Sequence, residues 1–579
     1  MTPTTNLFVS LFSLSLLQVI QTLQSTTPTT LDWTALNKTL GGRLYTARPF
    51  ASPCFPDFDG LSVPRIEANC EVIEDNYFNA TFRSTQFGSF MTTQWESCMS
   101  TDSQCTLDSS DPSDFLAWTD LPCDQGSVAP YYIDVQNYTD VQIALNFSSN
   151  TGVPLSIKNS GHDYFGRSSM VGSLALWVMI LRHINVYSQL SFNASFVPDG
   201  GSESYPAMTI GAGVPWADAY AFADSNNVTI VGGYAETVGA SGGWVMGGGH
   251  SVLSPVLGLG IDRVLEFKLV TPDGEYRTAN AYTNPDLFWA LRGGGGGTFG
   301  VVLESTSVVE PGAMTLQVAS LSFDPTSETG IQFIQLLTEN SLQWAQQGWG
   351  GHFTINGLIL VNPLLTLEEA QSSMQNATEF IQSQNGTVTI ETLPSWYEFY
   401  VKYVISYQST VGLEATLASR LIPSSLFETE DGRNTFVQAI ADMPAAAQDI
   451  LTITAVAPFL FNATANSTSA TPAWRDSVWH VSFLFYREFL SLRKTKSLLS
   501  RPQIIIPKPL ISIAPDSGAY MNEANVYEPN YEQAFWGENY PQLLAIKEKY
   551  DPSGLLGCWR CVGWTGVNDT RSQCYLPLN

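Results

Sequence analysis

Glycine is concentrated in three short runs between residues 155 and 302, and each lies beside an apolar stretch of strand-like composition. The first is "IKNSGHDYFGRSS" (157–169), the second "GASGGWVMGGGH" (239–250) and the third "RGGGGGTFG" (292–300). Glycine loses more backbone freedom on folding than any other residue, so its repeated use beside strands needs a compensating interaction. Bare backbone N–H groups facing a large anionic ligand supply one. Tight turns would account for a single run; three runs within one α/β block point to a ligand cleft.

The usual nucleotide loops are absent. Gly211-Ala-Gly213 has Trp216 where a third glycine would stand, and Gly258-Leu-Gly260 runs into Arg263. No G-x-x-x-x-G-K-[ST] stretch occurs. The first glycine run instead holds His162, one of five histidines in the chain. An imidazole is a good nucleophile at neutral pH and can bond to an electrophilic cofactor carbon such as the flavin 8α-methyl group.

Three segments, "PLSIKNSGHDYFGRSS", "GGYAETVGASGGWVMGGGHSVLSPVLGLGIDRVLEFKLVTPDGE" and "DLFWALRGGGGGTFGVV", resemble the p-cresol methylhydroxylase-type FAD domain. More closely they resemble the berberine-bridge-enzyme-like oxidases and their fungal branch, which includes isoamyl alcohol oxidases. The tail "YMNEANVYEPNYEQAFWGENYPQLLAIKEKYDPSG" resembles that group's C-terminal return segment, so the likeness spans about Gly41 to Gly563. It implies that His162 carries an 8α-histidyl bond to FAD, with Ser160, Gly161, Gly166 and Ser168 along the pyrophosphate. It further implies that Gly242, Gly243, Gly247, Gly248 and Gly249 form a second wall of the cleft, with Val302 against it. Tyr520, Asn522 and Asn539 would return to the flavin from the tail. His250 is open between a cofactor contact and a packed or turn histidine. "GASGGW" is one residue longer than the usual loop of that family.

One departure has chemical weight. Many relatives attach FAD a second time through a cysteine in G-x-C-x-x-V-G; here the stretch is Gly233-Tyr234-Ala235-Glu236-Thr237-Val238-Gly239, with Ala235 at that position. A single covalent link is therefore expected. The resemblance implies hydride transfer from an alcohol or similar C–H centre of a small molecule, with O2 reduced to H2O2, and a tailoring step of fungal secondary metabolism as one setting. The rival readings are a flavin dehydrogenase using another acceptor and a non-catalytic secreted binding glycoprotein. A base is required for the substrate proton; Tyr407 and Glu523 are the candidates, while His352 and His480 read as structural. No metal site is expected.

The fold class expected is α+β: a two-part p-cresol methylhydroxylase-type FAD-binding domain plus a substrate domain of antiparallel sheet and helices. The divisions are 1–24 signal peptide, 25–124 cysteine-containing segment, 125–311 FAD-binding domain, 312–510 substrate domain and 511–579 return segment. Within them, strands are expected at Tyr131–Val135, Pro154–Lys158, Met208–Gly213 and Val228–Gly233, with helices at Thr139–Ser148 and Trp216–Ser225. Val264–Ala279 reads as a hairpin turning at Pro272-Asp273-Gly274. Asn284 reads as the cap of a short helix. Leu316–Phe323 and Trp479–Tyr486 read as strands, Leu367–Ser383 as a helix, and the tail as two helices near Asn530–Trp536 and Pro541–Tyr550.

Twenty-six basic against 53 acidic residues give a net charge of −27, a surface that repels phosphate backbones and anionic membranes. Neither nucleic acid nor a membrane is an expected partner, and a monomer is. Leu7–Ile20 is an uncharged apolar run of signal-peptide length. Sequons stand at Asn37, Asn79, Asn137, Asn146, Asn193, Asn227, Asn376, Asn385, Asn462, Asn466 and Asn568. Eight cysteines lie at the two ends, five before Asp124 and three after Gly557; if all pair, at least one bridge joins the ends. Cys558-x-x-Cys561 has no second CxxC beside it, and a structural disulfide is the reading. Together these point to the secretory pathway, with an extracellular or vacuole-like lumenal destination.

Overall fold

The computed structural model describes residues 28–119, 121–179, 190–487 and 508–577; the apolar run Leu7–Ile20 lies outside them. Helix Tyr138–Thr151 begins where the Asn137 side chain accepts the Asp140 N–H, and ends on Gly152 at φ 73°. The chain then enters strand Leu155–Lys158, which pairs in parallel with Leu174–Trp177. Leu174–Trp177 pairs in parallel with Tyr131–Asp134 on its other side. Leu44–Thr46 adds an antiparallel edge, so the segment before residue 125 completes this four-stranded sheet.

A second, antiparallel sheet orders Tyr276–Asn280, Val264–Val270, Val301–Val308, Tyr205–Gly211 and Leu190–Phe196. The hairpin at Pro272-Asp273-Gly274 forms as expected, the Gly274 N–H donating to Thr271 O. The third sheet has seven antiparallel strands: Thr387–Leu393, Leu316–Ser322, Gly357–Asn362, Gly350–Thr354, Leu451–Ala455, Ser477–Arg487 and Glu414–Pro423. Helix Ser327–Gln347 covers it, burying Phe333, Leu337 and Trp344. The tail helices Tyr531–Trp536 and Tyr540–Tyr550 return to the first part of the chain. There the buried Lys547 donates to Thr298 O, Leu556 O and Asp551 Oδ2.

Three local expectations are corrected. Only Val228–Thr229 of the stretch to Gly233 is a strand. Beyond it the backbone runs against helix Trp216–Ser225, where a Cβ on Gly232 would lie 2.4 Å from the Trp216 ring. Asn284 takes φ 49° and does not cap its helix through the side chain; its amide donates to Thr278 O instead. The helix expected over Leu367–Ser383 is two, Leu367–Ser373 and Gln375–Ser383, broken at the fully buried Met374.

All eight cysteines are paired: Cys54–Cys70, Cys98–Cys574, Cys105–Cys123 and Cys558–Cys561. Cys98–Cys574 joins the two ends of the chain. Among the sequon asparagines, Asn37 and Asn137 are half-buried and the other nine are exposed. Among the described residues no helix is long and apolar enough to cross a membrane.

Candidate active site

A cavity of about 510 Å³ opens between the first two sheets and the seven-stranded sheet. Its construction begins with the loop after strand Leu155–Lys158. Lys158 is fully buried, and its ammonium donates to the carbonyls of Gln86, Phe87 and Ser89. The Met91 N–H donates to Gly161 O at 3.1 Å. Gly161 sits at φ 85°, a left-handed conformation that glycine adopts without strain. Asp163 pairs with Arg167, and Arg167 donates to Asn522 Oδ1 at 3.1 Å, tying this loop to the tail.

His162 faces the cavity from this loop, its Nε2 2.7 Å from Thr237 Oγ1. Burial lowers its pKa from the usual 6.5 to about 4, so the ring is neutral above that. Thr237 belongs to the loop after Gly233. That loop is held by Trp216 N–H to Val238 O and Ala217 N–H to Glu236 O, each 3.0 Å. Ala235, the position to which the resemblance assigns a second attachment point, lines the cavity. The protein has no free cysteine.

Ser160, Gly161, His162, Ser168, Gly242, Gly243, Val302, Tyr520, Asn522 and Glu523 all line this one cavity, although they come from segments far apart in sequence. Five further expected positions do not line it. Gly166 backs onto Trp95, where a Cβ would come within 2.3 Å of the ring. Gly247 and Gly248 pack on Asn522 and Tyr520, and Gly249 on Gly260 and Trp244. Asn539 is buried and donates to Ala470 O. The third glycine run divides likewise. Gly293, Gly294 and Gly295 pack on Ala470, Phe299 and Met521, while Gly296, Gly297 and Gly300 reach the cavity. The Tyr407 side chain lies outside the described residues.

Glu523 stands at the cavity wall, its Oε1 3.1 Å from His250 Nε2 and its Oε2 3.8 Å from His480 Nδ1. Burial pushes its carboxyl up, but His250, by charge and hydrogen bond, and His480 outweigh that and hold it below the ordinary 4.5. Burial also lowers His480 to about 4, against the opposing effect of Glu523. The sequence names Glu523 as a candidate base, leaves His250 open and gives His480 a structural part, but does not pair them; the two histidines join Glu523 from 273 and 43 residues away. Thr237, two residues after Ala235, carries no sequence signal that sets it apart.

The residues present fit an extended polar cofactor. Ser168 Oγ and Asn159 Oδ1 are buried at the cavity wall with no hydrogen-bond partner among the described residues. Such groups are costly unless something meets them. Gly243 has open space where a side chain would stand.

The family model described as "FAD binding domain" matches residues 129–280, and that described as "Berberine and berberine like" matches 519–557. FAD-linked oxidoreductase OXR2 of Pyricularia oryzae is 42% identical over 570 residues, covering 96% of each chain. FAD-linked oxidoreductase ffsJ of Aspergillus flavipes is 42% identical over 92% of each. Among solved structures, the VAO-type flavoprotein MtVAO615 from Myceliophthora thermophila has a TM-score of 0.79 at 28% identity, covering 94% of this chain and 97% of its own. The glucooligosaccharide oxidase of Acremonium strictum, titled as carrying 6-S-cysteinyl, 8α-N1-histidyl FAD, shares the fold at a TM-score of 0.60 and 20% identity. It covers 75% of this chain and 92% of its own. With its glycine-walled cavity, its return segment and relatives matched over nearly their whole length, the chain belongs to the berberine-bridge-like FAD-linked oxidoreductases and is an FAD-dependent enzyme.

Proposed function

We propose that this enzyme oxidises an alcohol or comparable activated C–H centre of an uncharged small molecule, holds FAD through one covalent bond from His162, and passes the electrons to O2 to give H2O2. The observation that carries the reading is the placement of a neutral His162 and the Glu523–His250 pair on one cavity. When bound, FAD supplies the hydride acceptor. The chain supplies what remains. Glu523, held ionised by His250, takes the proton of the substrate hydroxyl. The large sheet contributes His352, Thr452, Thr454 and Ser482 beside Leu417 and Leu484, a wall suited to orienting hydroxyl groups on an apolar frame. Among the described residues Arg167 is the one Lys or Arg side chain of the lining, and it is already paired with Asp163, which disfavours a phosphate or carboxylate substrate.

Ala235 and the lack of a free thiol support a single attachment, in contrast to the two named for the Acremonium strictum enzyme. The disulfides, the exposed sequons and the apolar N-terminal run support passage through the secretory pathway. The fungal relatives support a tailoring step on a secondary metabolite as the setting.

The test is the absorption spectrum of purified protein before and after acid precipitation, beside His162→Ala, followed by aerobic substrate screening for H2O2. Flavin kept in the wild-type pellet and lost from the variant supports the link. Flavin released from both removes the link. Substrate-dependent flavin reduction without H2O2 under air would replace the oxidase reading with a dehydrogenase.

A further inference from the structure

The covalent link proposed above, of the 8α-N1-histidyl kind named for the Acremonium strictum enzyme, leaves open which residue of this chain prepares the bonding nitrogen. Two nitrogens are available, and in a neutral imidazole one carries the proton while the other holds the reactive lone pair. Which is which depends on the hydrogen bond the ring makes. In this protein His162 Nε2 lies 2.7 Å from Thr237 Oγ1, and among the described residues Nδ1 has no hydrogen-bond partner. The ring is only half-buried and borders the cavity.

Both partners of that bond are held. Thr237 is buried, at 5% exposure. Its loop is fixed by the first N–H groups of helix Trp216–Ser225 and, from the other side, by Gln408. Gln408 Oε1 accepts the Glu236 N–H at 3.1 Å, and its Nε2 donates to Tyr234 O at 3.3 Å. His162 is fixed by the Met91–Gly161 hydrogen bond and by the Asp163–Arg167 pair that follows it.

Resting on the proposal that His162 carries the flavin, we infer that Thr237 is a positioning residue for attachment: its hydroxyl accepts the Nε2 proton, leaving Nδ1 as the nitrogen that bonds the 8α-carbon. The balance is as follows. A bond forms between Nδ1 and the 8α-carbon, the methyl group gives up one proton, and the imidazole gives up its Nε2 proton. The two electrons released go to O2, which with the two protons becomes H2O2. A hydroxyl serves both ends of this change, since it accepts from Nε2–H before the bond forms and donates to bare Nε2 afterwards. A methyl group in its place can do neither.

The test compares wild type with Thr237→Val, Thr237→Ser and His162→Ala, each obtained from flavin-depleted expression and then supplied with FAD under air. Covalent incorporation is followed by flavin fluorescence in denaturing gels, and total binding by absorbance. Magnetic resonance of the isolated histidyl-flavin peptide distinguishes Nδ1 from Nε2. The expected result is an Nδ1 link in the wild type. Incorporation should be at least about tenfold slower in Thr237→Val and within about threefold of wild type in Thr237→Ser. Thr237→Val placed on His162→Ala should bind FAD as His162→Ala does, which separates positioning from a loss of binding. An Nε2 link overturns the inference, as does wild-type incorporation in Thr237→Val, or equal slowing in the valine and serine variants. If wild type and His162→Ala both release their flavin, the underlying proposal fails instead, and the two failures are thereby told apart.

Discussion

Glu523 Oε1 and His250 Nε2 meet at 3.1 Å across 273 residues of sequence, one from the return segment and the other from the end of the second glycine run. His250 holds Glu523 ionised in a place where burial alone would neutralise it.

Glu523→Gln should therefore lower kcat/KM by about 10²–10⁴-fold, the range of a lost general base, with flavin content unchanged. Anaerobic stopped-flow reduction of the flavin isolates that step. Since the native carboxyl titrates below 4.5, the base is present above that point and is lost as pH falls through its lowered pKa. The acid limb of the wild-type profile should accordingly lie below pH 4.5 and be absent from the residual activity of the variant.

Ala235→Cys should create a second point of attachment, because Ala235 already faces the cavity. The informative background is His162→Ala. The double variant His162→Ala/Ala235→Cys should retain flavin after acid precipitation where His162→Ala alone releases it.

His480 provides a stability test. It is fully buried and titrates near 4 in the native protein, against 6.5 ordinarily. Between those values the unfolded chain binds a proton that the native chain does not, so stability is complete above pH 6.5 and declines toward pH 4. The decline from this residue alone is at most about 3 kcal/mol. Guanidinium unfolding of His480→Gln should show a shallower acid dependence than wild type, by about one proton over that window.

Cys98→Ser and Cys574→Ser should each destabilise the protein by about 3–5 kcal/mol, because the bridge closes a separation of 476 residues. The loss should reach the cofactor site, since the neighbouring Tyr575 donates to Phe165 O and packs on Trp95, which backs Gly166. Faster limited proteolysis and weaker flavin retention are the measurements.

What could be read beforehand follows the range of the interaction. The His162 loop was legible because glycine, strand and histidine lie within a dozen residues. Helix Trp216–Ser225 and the Val264–Asn280 hairpin were legible because periodicity and turn residues are local signals. Past Val228–Thr229 the strand expectation fails because Ile230, Val231 and Gly232 serve packing around Trp216 rather than a ladder. Asn284 was misread because a left-handed backbone redirected its amide. The Thr237–His162 and Glu523–His250–His480 contacts were out of reach, since each depends on how separate sheets are brought together. The glycine runs carried a mixed signal: Gly296 and Gly297 open onto the ligand cavity, whereas Gly293 and Gly295 make room for Ala470 and Met521.

The return segment has a consequence for how the molecule is made. Tyr520, Asn522 and Glu523 complete a cavity whose glycine-run walls are synthesised some 220 to 360 residues earlier, and Cys98 waits for Cys574, 476 residues further on. A nascent chain released only as far as the large sheet would carry His162 on an unroofed cleft, with one thiol still unpaired. Cofactor capture in its final geometry therefore waits for the return segment, and the bridge from Cys98 cannot close until Cys574 has emerged.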